Sequence, residues 1–177
     1  MKAAFLDRDG VLNRPVVREG KPYPPATAAE FEIYEEAAGA VRRLREMGFR
    51  VLVVTNQPDV ARGTQTRSEV EAMHGRLRRE LGVEDFYVCW HDDVDACECR
   101  KPKPGLLKRA AADFGISLSE SYMIGDRWRD VDCGHAAGCR TIFIDRGYSE
   151  QLRQEPDRRT RNLAEAVDFI GQERQTA

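Results

Sequence analysis

Five short apolar runs, separated by stretches of helical spacing, constrain the fold of this 177-residue chain more than any other feature. Ala3-Ala4-Phe5-Leu6, Val51–Val54, Phe86–Val88, Tyr122–Ile124 and, after Thr141, Ile142–Ile144 are continuously apolar, as strands buried on both faces tend to be. Between them, Ala37, Val41, Leu44 and Met47 recur at helical spacing, and Gly48 supplies a stop. Thr66-Arg67-Ser68-Glu69 reads as a capping box opening a charged helix that closes near Gly82. Pro104 sits near the start of a helix running to about Phe114, and a helix through Val131, His135 and Ala136 leads to Gly138. Asn162 and Glu165 cap a last amphipathic helix carrying Leu163, Ala166, Val167 and Ile170. Alternating strands and helices predict βαβ units in an α/β, doubly wound parallel sheet, with the whole of 1–177 as a single domain. Residues 11–34, with Pro15, Gly20, Pro22, Pro24 and Pro25, read as a loop flanking the site, and the polar residues 150–161 as a solvated loop.

Composition narrows the function classes. The chain is 41% hydrophobic and 33% charged, which suits a globular domain with a sizeable core. A net charge of −2 gives no electrostatic footprint for nucleic acid. No apolar run is long enough to span a membrane or act as a secretion signal. Five cysteines, an odd number, argue against a disulfide framework and for a reducing cytoplasm. The expectation is a cytoplasmic monomer acting on a small molecule, with no nucleic-acid or membrane partner.

Three of the strands end in polar residues: Asp7 and Asp9, then Thr55 and Asn56, then Gly125-Asp126. In a parallel sheet these ends share one edge, where ligands bind. Two carboxylates at i, i+2 repel unless a cation or a proton intervenes, and Mg²⁺ with a phosphate substrate meets that need. Taken singly, Asp9-Gly10 fits an ordinary turn, Thr55-Asn56 an N-cap and Lys101 a surface charge. Taken together they hold the nucleophile, acid/base, metal ligands and phosphate donors that phosphoryl transfer requires.

In this order, Asp7-Arg8-Asp9-Gly10, Thr55-Asn56-Gln57, Arg100-Lys101-Pro102 and Gly125-Asp126-Arg127 resemble the four motifs of the haloacid dehalogenase-like hydrolase superfamily, across residues 3–145. The resemblance implies a Rossmann-like core and a phospho-aspartyl intermediate on Asp7, with Asp9 as general acid and then base. It also implies Mg²⁺ held by Asp7, the Asp9 carbonyl and Asp126, and a phosphoryl group held by Thr55 and Lys101. Asp130, four residues beyond Asp126, is read either as orienting it or as a solvent-facing helix acid.

Cys89-Trp90-His91 and Cys97-Glu98-Cys99 form two ligand pairs, each spaced i, i+2, which can close a tetrahedral Cys₃His zinc site. Chance clustering of buried thiols is the alternative. Cys133 and Cys139 read as packed thiols, and His74 and His135 as structural. A structural Zn²⁺ loop at about 89–99, with no inserted cap, resembles the branch of heptose-bisphosphate and histidinol phosphatases. Gln57 followed by Val60-Ala61-Arg62-Gly63 resembles the heptose enzymes more closely, although Pro58-Asp59 departs from their usual small residue and glycine. Arg14, Arg18, Arg62 and Arg100 lie in or beside the loops expected to close the pocket. More arginines than one phosphate needs point to a second anionic group, hence a sugar bisphosphate. Asn56, Arg62 and Arg100 are the expected substrate-binding residues. Histidinol phosphate is the alternative substrate. A phospho-acceptor signalling module has its acceptor after an earlier acidic strand and no use for a zinc loop.

Overall fold

The computed structural model describes residues 1–83 and 85–175. Its strands are β1 (Lys2–Leu6), β2 (Val16–Arg18), β3 (Lys21–Tyr23), β4 (Phe49–Asn56), β5 (Asp85–Cys89), β6 (Tyr122–Gly125), β7 (Arg140–Ile144) and β8 (Arg158–Thr160). The helices are α1 (Ala37–Glu46), α2 (Arg67–Leu81), α3 (Gly105–Phe114), α4 (Trp128–Ala137) and α5 (Leu163–Gln175). Six strands form one parallel sheet in the order β5-β4-β1-β6-β7-β8. This is the doubly wound Rossmann order, and its switch point lies between β1 and β6.

Side-chain alternation on the strands explains why both faces are covered. Ala4, Leu6, Val51 and Val53 face a core completed by Leu44 of α1, Met73 and Leu77 of α2, and Val167 and Ile170 of α5. Ala3, Phe5, Leu52 and Val54 face the opposite layer, with Leu106 and Leu107 of α3 and Cys133 of α4. With neither face wet, every second residue is apolar as well, and the strands read as unbroken apolar runs.

Helix boundaries follow their caps. Thr66 Oγ1 accepts from the Glu69 amide at 3.2 Å, as the sequence suggests. The Glu69 carboxylate does not complete the box; it accepts instead from the Ala28 amide at 2.8 Å, tying the 11–34 segment to α2. Asn162 Oδ1 accepts from the Glu165 amide at 2.9 Å at the start of α5.

Two segments read as loops contain strands. Within 11–34, β2 and β3 form an antiparallel hairpin turning at Glu19 and Gly20, both with positive φ. Two three-residue strands, β3 with Pro22 at its centre, leave no periodic signal. Within 150–161, β8 pairs in parallel with β7 at the edge of the sheet. Arg158 and Arg159 are exposed and only Thr160 is buried, so this edge strand lacks an apolar run. Among the described residues no separate cap domain interrupts the sheet, and no helix is long and apolar enough to cross a membrane.

Candidate active site

Asp7 follows the last residue of β1, and its amide donates to the Ile124 carbonyl of β6 at 3.0 Å, at the switch point. Its Oδ1 accepts from the Arg8 amide at 2.8 Å and lies 3.0 Å from Lys101 Nζ. Burial, with help from Asp130 and Asp9 and against the pull of Lys101, raises the Asp7 pKa to about 6.

Asp9 is gripped from three sides. Arg8, fully buried, donates to its carboxylate through Nε at 3.2 Å and Nη2 at 2.9 Å. Asn13 Nδ2 donates to Oδ1 at 2.9 Å and Gln57 Nε2 to Oδ2 at 3.0 Å. Gln57 also donates to Thr55 Oγ1 at 2.9 Å, coupling the acid to the end of β4.

Lys101 enters from the segment before α3 and is buried. Its ammonium donates to the Val54 carbonyl at 2.8 Å and pairs with Asp130 Oδ1 at 2.6 Å. Burial pulls its pKa down, but Asp130 and Asp7 outweigh this and the net shift is upward, keeping it charged. Asp130 is therefore no solvent-facing helix acid: it is buried on α4, and its Oδ2 accepts from the Arg127 amide at 3.1 Å.

Asp126 completes the cluster. Ligand oxygens of Asp7, Asp126 and Asp130 lie within 4.8 Å of one another. Asp126 Oδ2 accepts from the Tyr148 hydroxyl at 2.8 Å, whereas Oδ1 is buried with no hydrogen-bond partner among the described residues. Burial and the neighbouring Asp7 and Asp130 push the Asp126 carboxyl well above the usual range. Three crowded acids balanced by one lysine, one with an orphaned oxygen, fit a hard divalent cation. Gly10 makes the close approach possible: at φ +85°, a Cβ there would stand 1.7 Å from Asp126 Oδ2.

A cavity of about 310 Å³ opens over these groups. Asp7, Asp9, Thr55, Lys101 and Asp126 line its floor, and Lys21, Arg62, Arg100, Arg127 and Arg129 are cations along its walls. The hairpin contributes Lys21, Pro22 and Tyr23 to the wall in place of a cap. The expected arginines divide. Arg14 pairs with Glu32 at 2.8 Å and Arg18 lies over the Tyr23 ring, and neither lines the cavity. Arg62 lines it but is braced by Asp92 at 2.6 Å and Asp59 at 3.2 Å. Arg100 is held by Asp93 at 2.8 Å and the His91 carbonyl at 3.3 Å. Asn56 also lines the cavity, with its amide engaged by the Lys101 backbone.

Residues 98–167 match the family described as HAD-hydrolase-like. Over 94% of this chain and 92% of its own, the D-glycero-D-manno-heptose-1,7-bisphosphate 7-phosphatase of Chlorobaculum tepidum is 34% identical. The D-glycero-beta-D-manno-heptose-1,7-bisphosphate 7-phosphatase of Pseudomonas aeruginosa is 36% identical over 86% of this chain and 85% of its own. The chain belongs to the heptose-bisphosphate phosphatase family of HAD-like hydrolases. The crystal structure of the D,D-heptose 1,7-bisphosphate phosphatase from B. bronchiseptica, complexed with magnesium and phosphate, superposes with a TM-score of 0.85. It is 28% identical and the match covers 98% of this chain and 99% of that one.

In this HAD-like phosphatase the two cysteine pairs meet. Sγ–Sγ separations are 3.3 Å for Cys89–Cys99, 3.5 Å for Cys97–Cys99 and 3.7 Å for Cys89–Cys97. His91 Nδ1 lies 3.2 Å from Cys99 and 3.6 Å from Cys89. Tetrahedral zinc with bonds of about 2.3 Å to sulfur sets sulfur atoms roughly 3.8 Å apart, so the four donors fit that ion. Cys133 and Cys139 are buried elsewhere in the core, as expected.

Sequence reasoning did not find Arg8, Asn13, Lys21, Arg129 or Tyr148 at this site. Arg8 sits inside the first motif, which is a signal of sorts. Lys21 and Tyr148 come from segments with no pattern, and only folding brings them to the cavity or to Asp126.

Proposed function

We propose that this chain is a Mg²⁺-dependent phosphatase domain over 1–177, with a structural zinc loop at about 89–99, that removes the 7-phosphate of D-glycero-D-manno-heptose 1,7-bisphosphate. The observation that carries the reading is the convergence of Asp7, Lys101 and Asp126 beneath a cavity walled by Arg100, Arg129, Arg62 and Lys21. The kinship to enzymes named for that substrate points the same way.

Asp7, Asp126 and the backbone at Asp9 would hold the cation, with Asp130 beside them. When bound, Mg²⁺ would offset the charge of the crowded acids and of the phosphoryl oxygens. The Asp7 carboxylate attacks phosphorus, and the bond from phosphorus to the sugar oxygen breaks. Asp9 gives its proton to that leaving oxygen. It then takes a proton from water as that water attacks the phospho-aspartate, releasing phosphate and restoring Asp7. Lys101 and Thr55 bind phosphoryl oxygens, and Gln57 links Thr55 to Asp9 so that the two stay in register. Arg100, braced by Asp93, meets the distal phosphate.

Turnover of the heptose 1,7-bisphosphate, its monophosphate and histidinol phosphate side by side tests the reading. A higher kcat/KM for the bisphosphate is expected, and Arg100→Ala should erode that preference by about 1.5–3 kcal/mol. Equal kcat/KM for mono- and bisphosphate would overturn the second-anion argument and favour histidinol phosphate.

A further inference from the structure

Residues 145–150, between β7 and β8, brace the acid cluster from outside the four motifs. Arg146 Nε donates to the Gly10 carbonyl at 2.8 Å, behind the turn that carries Asp9. The Ser149 amide donates to the Gly20 carbonyl at 3.0 Å, at the tip of the hairpin. Between these anchors the Tyr148 hydroxyl reaches Asp126 Oδ2 at 2.8 Å. The same oxygen packs over Gly10, where a Cβ would be 1.7 Å away. One oxygen of Asp126 is thus fixed by a hydroxyl and a close backbone approach. The other, Oδ1, is buried and unpartnered among the described residues, in a cluster with Asp7 and Asp130.

We infer that Tyr148 is a positioning residue for the divalent cation: by occupying Oδ2 it fixes the carboxylate rotation that presents Asp126 Oδ1 as the ligand atom. This rests on the reading of Asp7, Asp126 and Asp130 as the cation site. A carboxylate whose outer oxygen is hydrogen-bonded cannot rotate freely, and loss of such an outer partner typically weakens metal affinity by roughly 10–100-fold. Because Tyr148 does not line the cavity over the acid cluster, removal of its hydroxyl should act on metal binding and leave the chemical step intact once the cation is supplied in excess.

The test is calorimetric titration of Mg²⁺ into magnesium-free, zinc-loaded protein, with turnover measured as a function of Mg²⁺ on the same samples. Tyr148→Phe keeps the ring and removes the donor. It should raise the Mg²⁺ Kd by roughly 10–100-fold, raise the Mg²⁺ needed for half-maximal turnover in parallel, and leave kcat at saturating Mg²⁺ close to wild type. An unchanged Mg²⁺ Kd in Tyr148→Phe overturns the inference, as does a fall in kcat or melting temperature with the Kd unmoved. Asp126→Asn separates the two layers of argument. If it abolishes Mg²⁺ binding while Tyr148→Phe binds normally, only the role of Tyr148 fails. If Asp126→Asn binds Mg²⁺ like wild type, the cation site itself is misread and the inference falls with it.

Discussion

The side chain of Asn56 forms a two-way hydrogen bond with the backbone of Lys101, donating to its carbonyl and accepting from its amide, each at 3.1 Å. This pair joins the end of β4 to the segment leaving the zinc loop, so the lysine beside Asp7 is placed by a residue 45 positions earlier in the chain. Arg129 Nη1 shares the same Lys101 carbonyl at 3.2 Å. The ammonium at the acid cluster thus depends on the geometry of the Cys/His loop.

That dependence sets the expectation for zinc. Protein purified without chelators should carry one zinc per chain by elemental analysis, because thiolates suit zinc and the carboxylate cluster suits magnesium. Cys97→Ser should lower the zinc content and the melting temperature and raise KM more than it changes the Mg²⁺ requirement. Gly105 packs so close to the loop that a Cβ would lie 2.2 Å from the Glu98 carbonyl, so disorder in the loop also reaches the start of α3. Zinc-free protein with wild-type KM would contradict this.

Asp7→Asn should abolish turnover while leaving the fold intact, since it is isosteric and removes the attacking carboxylate. Asp9→Asn should reduce kcat by about 10²–10⁴-fold through lost proton transfer. Acid quench of wild-type enzyme mixed with radiolabelled substrate should trap phosphoprotein, and Asp7→Asn should trap none. Residual kcat in Asp7→Asn within about tenfold of wild type would exclude covalent catalysis by this residue.

Gly10→Ala should lose both stability and Mg²⁺ binding. Positive φ alone disfavours alanine by about 1–2 kcal/mol, and the new methyl would also displace the Asp126 carboxylate. Gly138, at φ +80° with nothing near its Cβ position, supplies the comparison. Gly138→Ala should show only the backbone cost in denaturant melts and retain activity.

Acid sensitivity should trace in part to His74. The ring is buried on α2, stacked on Phe86 at 4.5 Å, and neither nitrogen has a hydrogen-bond partner among the described residues. Burial, reinforced by Arg8 and Arg78, lowers its pKa from 6.5 to about 3. Between those values the unfolded chain takes up a proton that the folded chain refuses. Stability present above pH 6.5 is therefore lost as pH falls toward 3, at up to about 1.4 kcal/mol per pH unit. His74→Phe should flatten urea-melt stability across that window, and a slope equal to wild type would refute the assignment.

Five strands, five helices and the three polar strand ends are legible in the sequence because each follows from short-range rules. Buried strands such as Val51–Val54 are apolar throughout, and helices such as α2 announce their caps at Thr66 and Gly82. The two cysteine pairs are equally legible, since ligand spacing within a loop is local. What folding decided is everything that depends on distance across the sheet. The hairpin and β8 carry no apolar pattern, because they face solvent and gain their order from neighbours. Asp130 is a buried partner of Lys101 rather than a surface acid only because α4 packs where that lysine reaches the Val54 carbonyl of β4. Arg14, paired with Glu32, does not line the cavity, and across the hairpin turn Arg18 stays outside it while Lys21 lines it. Tyr148 meets Asp126 from 22 positions further along the chain, through a loop pinned at Gly10 and Gly20. Local propensity records which residues are able to meet at one edge of a parallel sheet; which side chain takes each oxygen there is set by packing between segments far apart in the chain.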